Sequence, residues 1–102
     1  MKLKDGIRVG HVQPQMILAI LIIEPILEKY GQDLVITEIC GGKHSTNSKH
    51  YLGQALDIRT WKLTENGTGI EATKDIQEAL GGEYFVLLES DHIHLQFNGV
   101  PS

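Results

Sequence analysis

The segment from His92 to Phe97 alternates polar and apolar side chains at every position. Neighbouring side chains of an extended strand point to opposite faces, so this pattern predicts a strand with one buried face. The side chains expected in the core are Ile93, Leu95 and Phe97. Those expected on the open face are His92, His94 and Gln96. The chain must therefore build a sheet with one apolar face and one accessible face that bears two imidazoles.

Three further segments are typical of strands. Ala55–Thr60 alternates in the same way, with Leu56 and Ile58 on one side and Asp57 and Arg59 on the other. Leu34–Cys40 is rich in β-branched residues. Tyr84–Leu88 precedes the histidine strand by a short turn at Ser90-Asp91, which predicts a hairpin.

Two segments have helical periodicity. Apolar residues recur at a spacing of three or four from Gln15 to Tyr30, after a proline suited to a first helical turn, and Pro25 is expected to kink or split this helix. Thr68 and Glu71 fit a capping box that opens a second helix, which ends near Leu80 before two glycines. Residues 62–69 are predicted to form a loop or turn.

The 102 residues are enough for one domain, with residues 1–13 as an irregular arm. The predicted order is helix, two strands, helix, two strands. This order favours an α+β fold, a small antiparallel sheet with helices packed against it.

Composition excludes several classes of protein. The 13 acidic and 9 basic residues give a net charge of −4 without a basic stripe, so no nucleic-acid partner is expected. The single cysteine, Cys40, excludes an intramolecular disulfide framework. The apolar run from Met16 to Ile23 is too short to cross a bilayer and lacks the context of a signal peptide. We expect a monomer without a membrane partner, made in the cytoplasm without an export signal.

Histidines and one carboxylate indicate a metal site. If the polar strand faces line one cleft, His50, Asp57 and His94 supply two imidazoles and a carboxylate, a ligand set typical of catalytic zinc with an open water position. Each signal also has an ordinary structural interpretation. The two histidines of the last strand could simply face solvent, and Asp57 could pair with Arg59 or a lysine.

The two histidine segments together resemble a known family. The first reads Ser48-x-His50-x-x-Gly53-x-Ala55-x-Asp57, and the second, about forty residues later, reads Asp91-His92-Ile93-His94. Both are similar to motifs of the zinc D-Ala-D-Ala peptidases of the VanX and VanY type, which include phage L-alanyl-D-glutamate endopeptidases. Their fold group also contains lysostaphin-type peptidases and the hedgehog domain. The resemblance extends over residues 14–98.

The resemblance implies a zinc metallopeptidase acting on peptidoglycan stem peptides, as a D-Ala-D-Ala carboxypeptidase or an L-Ala-D-Glu endopeptidase. It implies Zn²⁺ bound by His50, Asp57 and His94. Asp91, three residues before the last ligand, takes the catalytic acid/base position. His92 takes it in the lysostaphin-like relatives, and Glu89 is a third candidate. A phage or prophage endolysin that reaches the cell wall after release is one role of this kind.

One position departs from the family. VanX-like enzymes carry an arginine after the strand that precedes the first motif, where residues 38–43 of this chain have none. Lys43, His44 and Arg59 are the cationic candidates for substrate or oxyanion contact. Ser48 is expected to hydrogen-bond near the site rather than act as nucleophile. A module that retains zinc but is catalytically weak, with a binding or virion-associated role, is the alternative function.

Overall fold

A computed structural model describes residues 1–7, 13–39 and 55–98. They form an α+β domain with a five-stranded mixed sheet and three helices. The strands are β1 (Lys2–Leu3), β2 (Val35–Glu38), β3 (Ala55–Arg59), β4 (Tyr84–Leu88) and β5 (His92–Phe97). The helices are α1 (Pro14–Lys29), α2 (Trp61–Asn66) and α3 (Gly69–Leu80). No helix in these ranges is long and apolar enough to span a membrane.

The sheet has the strand order β1-β2-β3-β5-β4, and it is mixed rather than antiparallel. The prediction of an irregular arm over residues 1–13 is wrong at its start, because Lys2–Leu3 forms a parallel strand beside β2. The Lys2 amide donates to the Leu34 carbonyl at 2.8 Å, and the Lys4 amide donates to the Ile36 carbonyl at 2.9 Å. A two-residue strand has too little side-chain alternation to be recognised in a sequence.

The core lies between the apolar face of the sheet and the helices. β3 and β5 occupy the middle of the sheet and pair antiparallel. The alternation predicted for both strands is confirmed, since Leu56, Ile58, Ile93 and Leu95 are completely buried. Their polar neighbours are all partly exposed on the opposite face. Burial of the apolar side chains in the core therefore leaves the polar side chains of β3 and β5 on the accessible face of the sheet.

Helix α1 continues through Pro25 and is not split. A proline removes the amide that would bond to the carbonyl four residues earlier, here that of Leu21. Both residues are exposed, so water can satisfy this carbonyl. The buried side of the helix is formed by Met16, Ala19, Ile20, Ile23 and Leu27.

The connection between β3 and α3 differs from the prediction. Residues 62–69 were expected to be a loop, but Trp61–Asn66 is a short helix that ends at Gly67 in the left-handed conformation. The buried Leu63 anchors this helix to the core, and the Gln32 side chain accepts the Lys62 amide at 2.8 Å. The predicted capping box is also wrong, because Thr68 makes no side-chain cap hydrogen bond. Helix α3 ends at Leu80 before Gly81, as predicted.

The hairpin of β4 and β5 is confirmed, with antiparallel pairing and the Glu89 amide donating to the His92 carbonyl at 2.8 Å. β4 lies at one edge of the sheet. The Gln77 side chain of α3 covers part of this edge. Its Nε2 donates to the Tyr84 carbonyl at 2.9 Å, and its Oε1 accepts the Val86 amide at 3.1 Å. This contact protects β4 from pairing with another strand.

Candidate metal and catalytic site

The open face of the sheet brings Asp57 and His94 together. They are direct partners in the antiparallel ladder of β3 and β5. Asp57 Oδ1 lies 3.0 Å from His94 Nδ1, and each side chain is less than one-fifth exposed. Cross-strand partners share a face of the sheet, so the ladder register fixes this contact. The prediction that the two polar strand faces meet holds for these two residues.

Both nitrogens of the His94 ring face oxygen atoms. Nδ1 faces Asp57, and Nε2 lies 3.0 Å from Oε1 of Gln96. Two acceptors around one imidazole favour its doubly protonated form. Accordingly, the hydrogen bond to Asp57 raises the pKa of His94, against a smaller opposing effect of burial. Gln96 also fixes the ring orientation, because its Nε2 donates to Asn98 Oδ1 at 2.7 Å.

The Asp57–His94 pair fits two positions of a zinc site. Two ligand atoms at zinc–ligand distances of 2.0–2.2 Å in a tetrahedron lie about 3.3–3.6 Å apart. The observed 3.0 Å is close to this separation. A metal would replace the Nδ1 proton, while Gln96 would still hold Nε2, which is the usual support for a histidine ligand.

The other predicted ligand and contact residues, His50, Lys43, His44 and Ser48, lie outside the described residues. Within the described ranges, no group of three histidine, cysteine or carboxylate side chains is arranged to hold a metal ion. The described part of the chain therefore contributes two of the three predicted ligands.

His92 lies beside this pair on the same strand face. Its Nδ1 is 2.7 Å from Asp91 Oδ1, while its Nε2 is 3.3 Å from Glu89 Oε1 and 3.7 Å from Asp57 Oδ2. Burial lowers the pKa of His92, but the Asp91 hydrogen bond and the surrounding carboxylates outweigh it and raise the pKa overall. Asp91 thus contacts Nδ1 of His92, whereas Nε2 faces Glu89 and, at a longer distance, Asp57.

Arg59 lies two residues after Asp57 on β3 and pairs in register with His92. Its guanidinium carbon is 3.7 Å from the centre of the Trp61 ring, a stacked cation–π contact. A cavity of about 250 Å³ joins these residues to Asp57 on the open face of the sheet. It is lined by Lys4, Thr37, Glu38, Asp57, Arg59, Trp61, Asp91 and His92. Glu38 and Asp57, which both line this cavity, are ladder partners because the register of β2 and β3 shifts between Ile36 and Glu38.

Two residues on β4 were missed by the sequence interpretation. Leu87 is the ladder partner of His94, and the Phe85 ring lies edge-on to the His94 ring with centroids 6.4 Å apart. Both are more than two-fifths exposed. The continuous apolar run of β4 hid its alternation, because a run without polar residues does not indicate which side chains face outward.

The structure therefore brings Asp57, Arg59, Asp91, His92 and His94 onto one face of the sheet. No family model, curated protein or solved structure matches the chain. The function proposed for it rests on this geometry and on the motif resemblance.

Proposed function

We propose that this chain is a zinc-dependent peptidase that hydrolyses peptide bonds in peptidoglycan stem peptides. His50, Asp57 and His94 would hold the ion. The observation that supports this most is the half-buried contact between Asp57 Oδ1 and His94 Nδ1, which joins the two motifs in space. Asp57 and His94 are 37 positions apart in the sequence. A carboxylate beside an imidazole is a ligand combination that zinc prefers.

Zinc would supply Lewis acidity, which polarises a carbonyl and lowers the pKa of a coordinated water to about 7. The protein supplies the geometry. Gln96 holds Nε2 of His94, so that Nδ1 is directed at Asp57. The Phe85 ring lies edge-on to the imidazole, and Leu87 is the ladder partner of His94, so apolar surface adjoins the imidazole on this face of the sheet.

His92 is the proposed proton carrier. Asp91 holds its Nδ1 at 2.7 Å, and Nε2 lies 3.3 Å from Glu89 Oε1 and 3.7 Å from Asp57 Oδ2. Nε2 can accept a proton from the attacking water and later donate it to the leaving amine. Asp91 then has the role of orienting His92 and stabilising its charged form. This arrangement gives the two candidate residues complementary roles, whereas the sequence interpretation favoured Asp91 as the base.

The substrate class follows from the motif resemblance. It comprises D-Ala-D-Ala ends and L-Ala-D-Glu bonds of the stem peptide, with a role as a phage or prophage endolysin at the cell wall. The finer classification of the fold, a hedgehog or D-Ala-D-Ala-peptidase type, is part of the same proposal. The α+β domain, with its ligand pair on the open sheet face, is compatible with it.

The test is digestion of purified peptidoglycan with mass spectrometry of the products. The wild-type protein with zinc should release fragments that identify one cleaved bond in the stem peptide. His94→Ala should release none, because a proposed ligand is lost. Intact stem peptides after prolonged incubation with the zinc-loaded wild-type protein would contradict the proposal.

A second candidate is a module that binds zinc without efficient catalysis. It is favoured by the absence of arginine from residues 38–43, where VanX-like enzymes carry one. This module would contain zinc and bind stem peptides but leave them uncleaved. Zinc analysis of the same digestion samples separates it from a protein without a metal site.

A further inference from the structure

Two cations beside the candidate site have no carboxylate partner among the described residues. These are Lys4, directly after β1, and Arg59 on β3. Other cations nearby do pair: Lys2 lies 3.6 Å from Asp33, and Lys62 lies 3.3 Å from Glu65. In a chain with excess acid, two neighbouring cations that pair with no described carboxylate indicate a site available to an external anion.

Lys4, Arg59 and Trp61, which we term the cationic junction, line two cavities at once. One is the 250 Å³ cavity that contains Asp57 and His92. The other has a volume of about 590 Å³ and extends over β1, β2 and the start of α2. The cationic junction therefore lies where a ligand in the larger cavity would approach the proposed catalytic groups.

The charge of the larger cavity is opposite to that of the whole chain. Its charged lining residues are Lys2, Lys4, Arg59, Lys62, Asp5 and Asp33. Lys2 and Lys62 are already paired, with Asp33 and Glu65, so Lys4 and Arg59 remain against the carboxylate of Asp5. The balance is therefore positive, although the chain carries −4 overall. In the smaller cavity Lys4 and Arg59 are accompanied by three carboxylates, those of Glu38, Asp57 and Asp91. An anionic group is thus favoured on the side of the junction that faces the larger cavity.

Arg59 is prepared to bind such a group. Its backbone is fixed in a central strand, and its guanidinium is stacked on Trp61 at 3.7 Å. Stacking occupies one face of the guanidinium plane and leaves the N–H donors at its edge available. Those donors match a carboxylate in a two-pronged contact. The stacked partner also limits the rotamer entropy that Arg59 would lose on binding.

We propose that the cationic junction binds a carboxylate of the peptide substrate and thereby holds the adjoining peptide bond at the Asp57–His94 pair. This inference rests on the proposed peptidase function and adds the substrate's required charge. The ligand is a peptide with a free side-chain or main-chain carboxylate near the cleaved bond, such as the glutamate carboxylate of a stem peptide.

Trp61 makes the binding step directly measurable, because it is the only tryptophan and is 64 % exposed. The experiment is a stopped-flow fluorescence titration of the zinc-loaded protein with the C-terminally amidated peptide L-Ala-γ-D-Glu-L-Lys, and with the same peptide carrying D-isoglutamine. The two peptides then differ only in one free carboxylate, which the second lacks. The initial signal, before cleavage, should saturate with the glutamate peptide and require about 10-fold more of the amide peptide. Mass spectrometry of the same samples records cleavage separately.

The matched variants are Arg59→Gln and Lys74→Gln, each of which removes one positive charge. Lys74 is exposed on α3 and lines neither cavity. Arg59→Gln should abolish the preference for the carboxylate, whereas Lys74→Gln should retain it. If Arg59→Gln does not fold, the comparison of the two peptides on the wild-type protein still tests the preference for the carboxylate.

Equal affinity for the two peptides, or no binding of either, would overturn the inference. Inorganic phosphate that competes as strongly as the glutamate peptide at constant ionic strength would also overturn it, since the site would then accept any oxyanion. Cleavage without a carboxylate preference contradicts this inference alone. A carboxylate preference without cleavage contradicts the proposed peptidase function and leaves the binding site in place.

Discussion

Asp57 and His94 are direct ladder partners on β3 and β5, and their carboxylate and imidazole are 3.0 Å apart. The register of the two strands fixes this contact, because their other faces bury Leu56, Ile58, Ile93 and Leu95. A slip of one residue would turn the buried set outward and the polar pair inward. The hydrophobic core therefore positions two of the proposed zinc ligands, Asp57 and His94.

Gln96 should support zinc binding without touching the ion. Gln96→Leu removes the oxygen that faces His94 Nε2, so the ring loses its orientation. We expect zinc affinity to fall about 10- to 100-fold. Competition with a chromophoric chelator measures this. Gln96→Glu, which keeps an acceptor oxygen, is the control and should bind zinc at least as tightly as the wild type. Equal affinity in the leucine variant would exclude this role.

The proton carrier can be identified from three variants. His92→Ala should keep zinc and reduce turnover by about 10²–10⁴-fold, the usual contribution of general acid–base catalysis. Asp91→Ala should have a smaller effect, because it removes only the partner of His92 Nδ1. His94→Ala should lose zinc. Turnover and bound zinc are measured together on one stem peptide. A severe loss in Asp91→Ala with His92→Ala still active would instead assign the base to Asp91.

Zinc affinity should decrease in acid, and more so than for an ordinary histidine site. The hydrogen bond to Asp57 raises the pKa of His94 above 6.5, so a proton competes with zinc at Nδ1 up to a higher pH. Below that pKa the affinity should fall about tenfold per pH unit for each proton displaced. Zinc titrations between pH 5 and 8 test this; a flat profile would contradict it.

Metal-free protein should show the opposite pH trend in stability. A raised pKa means that the protonated His94–Asp57 pair stabilises the folded state fully below about pH 6.5, and that this contribution is lost as the pH rises through the folded pKa. His94→Gln should reduce this dependence and leave the part that comes from the raised pKa of His92. Urea unfolding of the chelated wild type and variant at pH 5.5 and 8.5 compares the two. The same pH dependence in both proteins would refute the assignment.

The Tyr30 hydroxyl at the end of α1 donates to Asp75 of α3. This contact raises the pKa of Tyr30 to about 12 and lowers that of Asp75. Because the pKa of Asp75 is lowered in the folded protein, its ionised carboxylate contributes to the free energy of unfolding above pH 3.8. This contribution is lost as the pH falls through the pKa of the folded state. The raised phenol pKa gives stability below pH 10 that is lost as the pH rises through about 12.

Tyr30→Phe should therefore destabilise the protein at pH 7 and have less effect at pH 2.5. Tyr84→Phe is the matched control, because the Tyr84 hydroxyl donates at 2.8 Å to the Gln15 carbonyl, which does not titrate in this range. Its effect on the free energy of unfolding should be similar at both pH values. Equal pH dependence for the two variants would show that Asp75 does not control the Tyr30 contact.

The strands that bear the proposed site were predictable from the sequence. Strict alternation in β3 and β5 predicted both the buried set and the polar set, and the structure has the same two faces. Two polar strand faces give no information on their register, however. The contact between Asp57 and His94 depends on long-range pairing that no local pattern specifies.

The remaining differences have local causes. Lys2–Leu3 is too short to show a period, and Trp61–Asn66 is held as a helix by the burial of Leu63 and a side-chain bond from Gln32. Tertiary contacts of this kind override weak local propensity. The cationic junction was not predictable either, because Lys4 and Arg59 meet only through the parallel addition of β1 to the sheet.

Zinc-dependent cleavage of a stem peptide is the most direct test of the central claim. One sample of purified protein is chelated exhaustively, assayed by mass spectrometry for cleavage, and assayed again after one equivalent of Zn²⁺ per chain. The account predicts one bound zinc ion per chain, no cleavage after chelation, and recovery with zinc in the wild type but not in His94→Ala. Cleavage that persists with no metal detectable would contradict it.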